Sequence, residues 1–374
     1  MKLGILGGGQ LARMIIEETS KYGFEYIIYS ESPNSPAGKI CNKEIVGKFS
    51  ELDKLSEFAS QCDLITLENE FIDKHYIEHI EATGVKCLPG SDIVGLIQDK
   101  FIQKMKLKEL GIPVPEFEEV KTVDDIKVFA EKHNYPVILK SRTMGYDGKG
   151  NFRIENEDMI NEAFDVISKR GKLMCESFID FRKELAVQVV RSVNGEVKIY
   201  PVVESIQKDH ICSIVKASKN FDSKYTKAIS GIAVKIVESI NYAGVLAVEL
   251  FVMDDGTLYV NELAPRVHNT GHYTIEGCYV SQFENHVRAI AGLPLGSTEM
   301  IHPCAVMINL LGNRDGKANL EGYSNLIQDK DAFIHFYGKD ETRVGRKMGH
   351  ITLVGNDMAD LLFKAYKYHS QIKF

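Results

Sequence analysis

No two of the seven cysteines, Cys41, Cys62, Cys87, Cys175, Cys212, Cys278 and Cys304, lie closer than 21 positions apart. That spacing excludes a disulfide framework and a zinc-ligand cluster. No apolar run approaches the roughly 18 residues that a membrane-spanning helix needs. The first apolar stretch, Leu3 to Gly9, is interrupted at Gln10, Arg13 and Glu17, too soon for a secretory signal. Positive charge is not in excess either: 45 Lys plus Arg stand against 52 Asp plus Glu, a net charge of −7. This is the wrong sign for gripping nucleic acid through bulk electrostatics. Internal repeats and low-complexity linkers are lacking as well. These absences predict a cytoplasmic chain with reduced thiols packed as small hydrophobes, and neither membrane nor nucleic acid as a partner.

What is present is a globular composition, 44% hydrophobic and 26% charged over 374 residues, long enough for two or three domains at roughly 150 residues each. Residues 1–95 alternate strand and helix: an apolar strand at Lys2 to Leu6, Gly7-Gly8-Gly9, a helical pattern through Leu11, Met14 and Ile15, then strands at Tyr26 to Tyr29 and Asp63 to Leu67. Such alternation predicts an open parallel sheet. Residues 96–300 open with a Lys-rich amphipathic helix from Asp99, with Phe101 and Met105 inward, stopping at Gly111 before Pro113. Strands then dominate, at Pro136 to Lys140, Asn151 to Ile154, Leu173 to Glu176, Glu184 to Arg191, Val197 to Val203, Val245 to Met253 and Thr257 to Asn261, with a helix at Lys224 to Ser239. This predicts an α+β domain whose antiparallel sheet carries helices on one face. Residues 301–374 carry short strands and read as a small β-rich appendix.

Gly7, Gly9 and Ala12 match the G-x-G-x-x-A dinucleotide fingerprint, and Glu31 stands where a ribose-binding acid would follow. The same glycines suit a phosphate-bearing small substrate at the helix N-terminus, or simply close packing of helix on strand.

A sharper signal is the hairpin Glu249 to Glu262. If Asp255-Gly256 is its two-residue turn, Asp254 pairs with Thr257 and Glu249 with Glu262. Two carboxylates directly opposite cost a few tenths to about 1 kcal/mol. A shared divalent cation reverses that sign, and hard oxygen ligands on rigid strands describe a magnesium site serving a nucleotide. The alternative is a solvated charged face. Asn261 joins the site only if its strand twists or ends there. The loop from Arg142 to Gly150 lacks the Ser or Thr that follows lysine in a Walker loop and is followed by a strand, so it reads as a flap closing its N–H groups on phosphates, or as a plain exposed connection. Lys140, ending an apolar strand, needs an anion or snorkels to water. His268 and His272 are four apart but lack the frame of a zinc protease.

Taken in order, Asp99-Lys100, Lys104, Leu107, Gly111 to Pro115, Pro136 to Lys140, the glycine loop, Glu176, Glu184, Glu249 and Asn261-Glu262 resemble the ATP-grasp superfamily over about 200 residues. Gly7 to Leu11, Gly145 to Gly150, Asn261 to His272 and Gly345 to His350 resemble, within it, the N5-carboxyaminoimidazole ribonucleotide synthetases of purine biosynthesis, over essentially the full length. The resemblance implies a pre-ATP-grasp Rossmann-like α/β domain, an ATP-grasp domain and a small β-rich C-terminal domain.

It also implies roles. Lys100 and Lys140 would meet ATP phosphates beneath Met144, Gly145, Tyr146, Gly148, Lys149 and Gly150. Glu176 with Ser177, Phe178 and Ile179 would hold adenine, Glu184 the ribose, and Gln207 stands where relatives often have histidine. Glu249 and Glu262, with Asn261, would hold Mg²⁺. Tyr146, Asp147, Lys149, Arg266, His268, Lys339 and Arg346 would surround 5-aminoimidazole ribonucleotide. Asp147, or alternatively His268, would orient or deprotonate its amine, with Lys140 stabilising charge on the phosphoryl group. Bicarbonate would be the co-substrate, biotin is not implied, and the family suggests a homodimer. Three alternatives stay open: formate-dependent glycinamide ribonucleotide transformylase, an NAD(P)-dependent oxidoreductase built on the first domain, and a nucleotide-binding regulator without turnover.

Overall fold

The computed structural model describes residues 1–143, 145, 150–209 and 211–374. Its first unit comprises strands β1 (Lys2–Leu6), β2 (Glu25–Ser30), β3 (Lys43–Val46), β4 (Leu64–Leu67) and β5 (Lys86–Cys87), with helices α1 (Gln10–Thr19), α2 (Leu52–Ala59), α3 (Lys74–Glu81) and α4 (Ser91–Gln98). The strands are parallel in the order β3-β2-β1-β4-β5. β1 and β2 are buried along nearly their whole length, as sheets covered on both faces require. The chain reverses direction of growth between β1 and β4, and the crevice at their carboxyl ends is where such sheets take ligands.

Helix α5 (Lys100–Glu109) follows, its start fixed by Asp99, whose carboxylate accepts from the N–H groups of Phe101 and Ile102. The expected inward pair is corrected here. Met105 is 51% exposed, Phe101 is partly buried, and the buried face is Gln103, Lys104 and Leu107. The cap and the Asp99–Arg142 ion pair set the helix rotation, not its apolar residues.

A four-stranded antiparallel sheet comes next, β6 (Phe117–Val120), β7 (Val137–Ser141), β8 (Asn151–Ile154) and β9 (Leu173–Ser177), in the order β6-β9-β7-β8. Helices α6 (Val123–His133) and α7 (Ile160–Ile167) bury Ile126, Phe129, Ile160 and Ala163 against it.

The largest sheet has nine strands. It uses β10 (Lys183–Arg191), β11 (Val197–Ile199), β12 (Val203–Lys208), β13 (Ile211–Ser218), β14 (Gly244–Val252) and β15 (Leu258–Ala264). It also uses β16 (Cys304–Leu311), β18 (Ala332–Phe336) and β20 (Lys347–Gly355), past the two-residue strands β17 (Gly316–Lys317) and β19 (Glu341–Thr342). The order is β15-β14-β10-β12-β13-β16-β20-β18, with β11 beside β10. Strand 197–203 was expected as one piece; Tyr200-Pro201 splits it, since proline cannot donate to a ladder.

Helix α8 (Ser223–Ser239) covers one face through Ile229, Ala233 and Ile236 against Val187, Leu246 and Val248. The short α9 (Thr274–Gly277) leads into α10 (Gln282–Ile290), which covers the other face through Phe283, Val287 and Ile290 against Val190 and Val245. Helices therefore lie on both faces, not one. The C-terminal segment is less separate than an appendix: β16 pairs with β13, and its 14-residue helix α11 (Met358–Gln371) packs Leu361 and Ala365 on the same sheet.

Candidate active site

Glu249 on β14 faces Glu262 on β15, as the hairpin arithmetic expected. The turn between them is not the one expected. Met253 and Thr257 close it (Met253 N to Thr257 O, 2.9 Å), leaving Asp254-Asp255-Gly256 as a three-residue loop with Gly256 at φ +84°. The registers agree because a bulge lies between Leu250↔Val260 and Glu249↔Glu262, with Asn261 as the extra residue. A bulge re-aims the side chain it carries, which answers how Asn261 leaves the regular alternation.

Across β14, Ala186 pairs with Glu249 and Glu184 with Phe251, so Glu184, Glu249 and Glu262 share one face. Burial, then the charges of Glu262 and Glu184, push the Glu249 carboxyl up to about 8. Among the described residues no group of three His, Cys, Asp or Glu forms a metal cage. Two opposed carboxylates fit magnesium, which leaves most of its positions to water and nucleotide phosphates.

Lysines border these acids. Lys100, at the first turn of α5, places Nζ 2.5 Å from Glu262 Oε1. Lys140, at the end of β7, lies 3.1 Å from Glu176 Oε2, and Lys104 lies 3.3 Å from the same oxygen. Burial alone would raise Glu176, but Lys104 and Lys140 outweigh it and hold its carboxyl below the usual range. Lys104 is buried to 2% side-chain exposure and pushed down to about 8, by burial first. In the sequence it stands only as one residue of the ATP-grasp series, with no role assigned.

Ser177, Phe178 and Ile179 follow as a half-buried run, with the Arg153 guanidinium 4.1 Å from the Phe178 ring centroid. Burial raises the carboxyl of Glu184, and the Gln207 side chain hydrogen-bonded to it opposes that rise. Gln207 also donates to Ser205 at 3.1 Å. Phe181 stacks on Phe251 at 4.5 Å beside them.

A second cationic region adjoins the first. The Arg266 guanidinium clasps both oxygens of Glu70. Lys339 is pushed down to about 8 by burial, then by Arg346, against the pull of Glu68; its Nζ donates to the Lys347 carbonyl at 2.7 Å. Arg346 donates to the Glu341 carbonyl at 2.6 Å. His268 sits between the regions: Nε2 is 3.7 Å from Glu249 Oε1, and Nδ1 meets the Thr270 hydroxyl at 2.8 Å and faces the Thr270 N–H at 3.4 Å. Nδ1 is thereby an acceptor and Nε2 carries the proton. Burial, Arg266 and Lys347 keep the ring neutral far below the usual histidine range.

The glycine turn after β1 is already filled. Glu68, just past β4, accepts from Gly9 N at 2.7 Å and Ala12 N at 3.3 Å. A Cβ on Gly9 would lie 2.5 Å from Glu68 Oε1, and one on Gly7, at φ +97°, 2.5 Å from Glu68 Cγ. A side-chain carboxylate thus takes the helix N-terminus that a dinucleotide pyrophosphate would need, and Glu31 is exposed, which speaks against the dinucleotide reading of that turn. Glu68 and Glu70 were legible only as acids at the carboxyl end of a parallel strand beside the sheet's switch point.

A cleft of about 130 Å³ opens beside Glu262, lined by Glu70, Gln98, Lys100, Thr143, Gly145 and Glu262. Gly150, at φ +93°, closes the loop with its carbonyl accepting from Ser141 N. Met144, Tyr146, Asp147, Gly148 and Lys149 lie outside the described residues. Arg142 ties the loop's start to Asp99 (2.5 and 2.9 Å) and Glu119 (2.6 Å).

Paired acids on a hairpin, lysines from a preceding helix and strand, and two sheets enclosing a cleft define an ATP-grasp protein. The sequence matches the ATP-grasp domain family over residues 105–283, the ribonucleotide synthetase preATP-grasp domain over 1–98 and the phosphoribosylaminoimidazole carboxylase C-terminal domain over 305–364. The chain belongs to the N5-carboxyaminoimidazole ribonucleotide synthase family. It is 38% identical to the synthase of that name from Synechococcus elongatus, covering 94% of this chain and 89% of that one. It is 39% identical to the chloroplastic phosphoribosylaminoimidazole carboxylase of Vigna aconitifolia, over 96% of this chain but only 65% of the plant protein, so it spans about two thirds of that relative's length. The crystal structure of the Aspergillus clavatus synthase with ADP and 5-aminoimidazole ribonucleotide superposes with a TM-score of 0.89 at 34% identity, covering 99% of this chain and 98% of that one.

Proposed function

We propose that this chain carboxylates the exocyclic amine of 5-aminoimidazole ribonucleotide with bicarbonate, converting ATP to ADP and phosphate, as an ADP-forming carbon–nitrogen ligase of purine biosynthesis. The observation that carries the reading is the adjacency of two sites of different character. Opposed carboxylates Glu249 and Glu262 with Lys100 and Lys140 suit a metal-bound triphosphate, and Arg266, Lys339 and Arg346 form a separate anchor for a sugar phosphate. Support also comes from the Aspergillus synthase, whose crystal structure is a complex with ADP and that ribonucleotide.

Bicarbonate is a poor electrophile. Its oxygen attacks the γ-phosphorus, ADP departs, and carboxyphosphate results; the amine nitrogen then attacks the carboxyl carbon, phosphate leaves, and the amine proton passes to a base. Lys140 and Lys100 stabilise charge on the moving phosphoryl group. Magnesium, held by Glu249, Glu262 and Asn261, supplies neutralisation of the phosphate charge when bound. His268, neutral with its proton on Nε2, is suited to donate a hydrogen bond to a reacting oxygen and not to take the amine proton, which leaves that task to Asp147. Glu176 to Ile179 and Glu184 take the adenosine, with Gln207 beside the ribose. No biotin is called for.

We place the enzyme in the cytoplasm; among the described residues no helix is long and apolar enough to cross a membrane. We take it as a homodimer, supported by Phe363 and Tyr366, which lie three apart on α11 and are 70% and 55% exposed. Phosphate release from MgATP tests the reading. It is expected to require both 5-aminoimidazole ribonucleotide and bicarbonate; release driven instead by formate with glycinamide ribonucleotide, or indifferent to the imidazole, overturns it.

A further inference from the structure

Strand β15 is the outermost strand of the nine-stranded sheet. An edge needs its polar backbone groups met by something, and here two consecutive side chains of α5 meet them. Gln103 Oε1 accepts from Leu263 N at 3.1 Å, and its Nε2 reaches Leu263 O at 3.5 Å and Ile97 O at 2.9 Å. Lys104 Nζ donates to Asn261 O at 3.1 Å, at the bulge residue itself. The same ammonium lies 3.3 Å from Glu176 Oε2, which Lys140 also contacts. One buried cation therefore touches a strand of each sheet: β15, which bears Glu262, and β9, which bears Glu176.

Burying an ammonium is costly, and an apolar side chain beside Leu107 would pack there at less expense. The geometry points to a purpose for that cost. We propose that Lys104 is a positioning residue of the nucleotide and metal site: by bonding the bulge carbonyl of Asn261 it holds Glu262 opposite Glu249, and through Glu176 it holds Lys140 at the end of β7, with Gln103 fixing Leu263 one residue on. This rests on the reading of Glu249 and Glu262 as magnesium ligands.

The test is calorimetric binding of a non-hydrolysable ATP analogue across a magnesium titration and in EDTA, for the wild type, Lys104→Met and Gln103→Met, with thermal melting alongside. Groups that orient ligands from behind typically matter 10–100-fold to metal affinity, so Lys104→Met is expected to raise the half-saturating magnesium concentration roughly 10-fold or more. Analogue binding in EDTA should change less. Gln103→Met should shift the midpoint the same way by a smaller factor.

A folded Lys104→Met with the wild-type magnesium midpoint overturns the proposal. If that variant does not fold, a folded Gln103→Met with an unshifted midpoint overturns it, and so does failure of both to fold, which would assign the pair to the fold alone. A wild type whose analogue binding ignores magnesium sinks the metal reading instead, and is told apart by that control.

Discussion

Glu249 and Glu262 face each other across β14 and β15 although the turn joining those strands is one residue longer than a two-residue hairpin, because the bulge at Asn261 absorbs the difference. Replacing one acid of this pair should separate binding from stability. Glu249→Gln is expected to melt no lower than the wild type in EDTA, since a desolvated acid facing another acid is gone. Magnesium should no longer raise its melting temperature in the presence of ATP, and phosphate release should fall at least 100-fold. Differential scanning calorimetry with and without magnesium reads this; a variant still stabilised by magnesium and ATP would sink the assignment.

The filled turn at α1 makes a second prediction. Gly7 has φ +97° and Glu68 against it, so Gly7→Ala should lose about 1–3 kcal/mol from backbone strain alone. NAD(P) should fail to bind the wild type. Urea unfolding measures the first and fluorescence titration the second; micromolar dinucleotide binding would contradict the occupied turn.

Acid should loosen the seam between the first sheet and the largest one. His286 of α10 accepts from Val245 N through Nδ1 (3.1 Å) and meets the Thr66 hydroxyl of β4 through Nε2 (2.9 Å). Burial pushes it down from 6.5 to about 4. The unfolded chain takes up this proton first, so the stability His286 contributes is intact above pH 6.5 and is lost as pH falls toward 4, on the order of 3 kcal/mol. His268, His272 and His350, also held low, add in the same sense, while His335, raised by Glu276, opposes. Urea midpoints between pH 7 and 4.5 should fall, and fall less for His286→Gln. Equal slopes in the two proteins would refute the role.

For Lys339, replacing the buried ammonium should affect one substrate only. Lys339→Met is expected to raise the KM for 5-aminoimidazole ribonucleotide roughly 10- to 100-fold, the worth of one hydrogen bond from a charged group, with the KM for ATP nearly unchanged. Steady-state kinetics in each substrate decide it; a shift confined to ATP would move Lys339 to the other region.

Much of this was legible in the chain. Parallel βα alternation exposed the first sheet, and period-two patterning with a glycine turn exposed the acid pair, even with the turn length misjudged, since two one-residue errors cancelled at Asn261. The burial of Lys104, named only as one of a series, stayed hidden because helical periodicity ranks residues by hydrophobicity. The Asp99 cap and the fork from Arg142 rotate α5 so that a lysine goes in and Met105 goes out. Glu68 was hidden for another reason: a side chain 59 positions from Gly9 can fill a glycine turn without leaving any local mark. Helix α11 escaped because the apolar strand before it, Ile351 to Val354, dominates that segment's pattern.

The strands carrying Glu249 and Glu262 and the strand beginning at Lys347 belong to one continuous sheet. Five ladders from β14 to β20 act as a ruler, so the gap between the paired acids and the strand beginning at Lys347 is set by strand spacing and twist, quantities that side-chain exchange on the surface barely alters. Drift in the reach between the two regions would have to begin in the middle of that sheet, at β12 or β13.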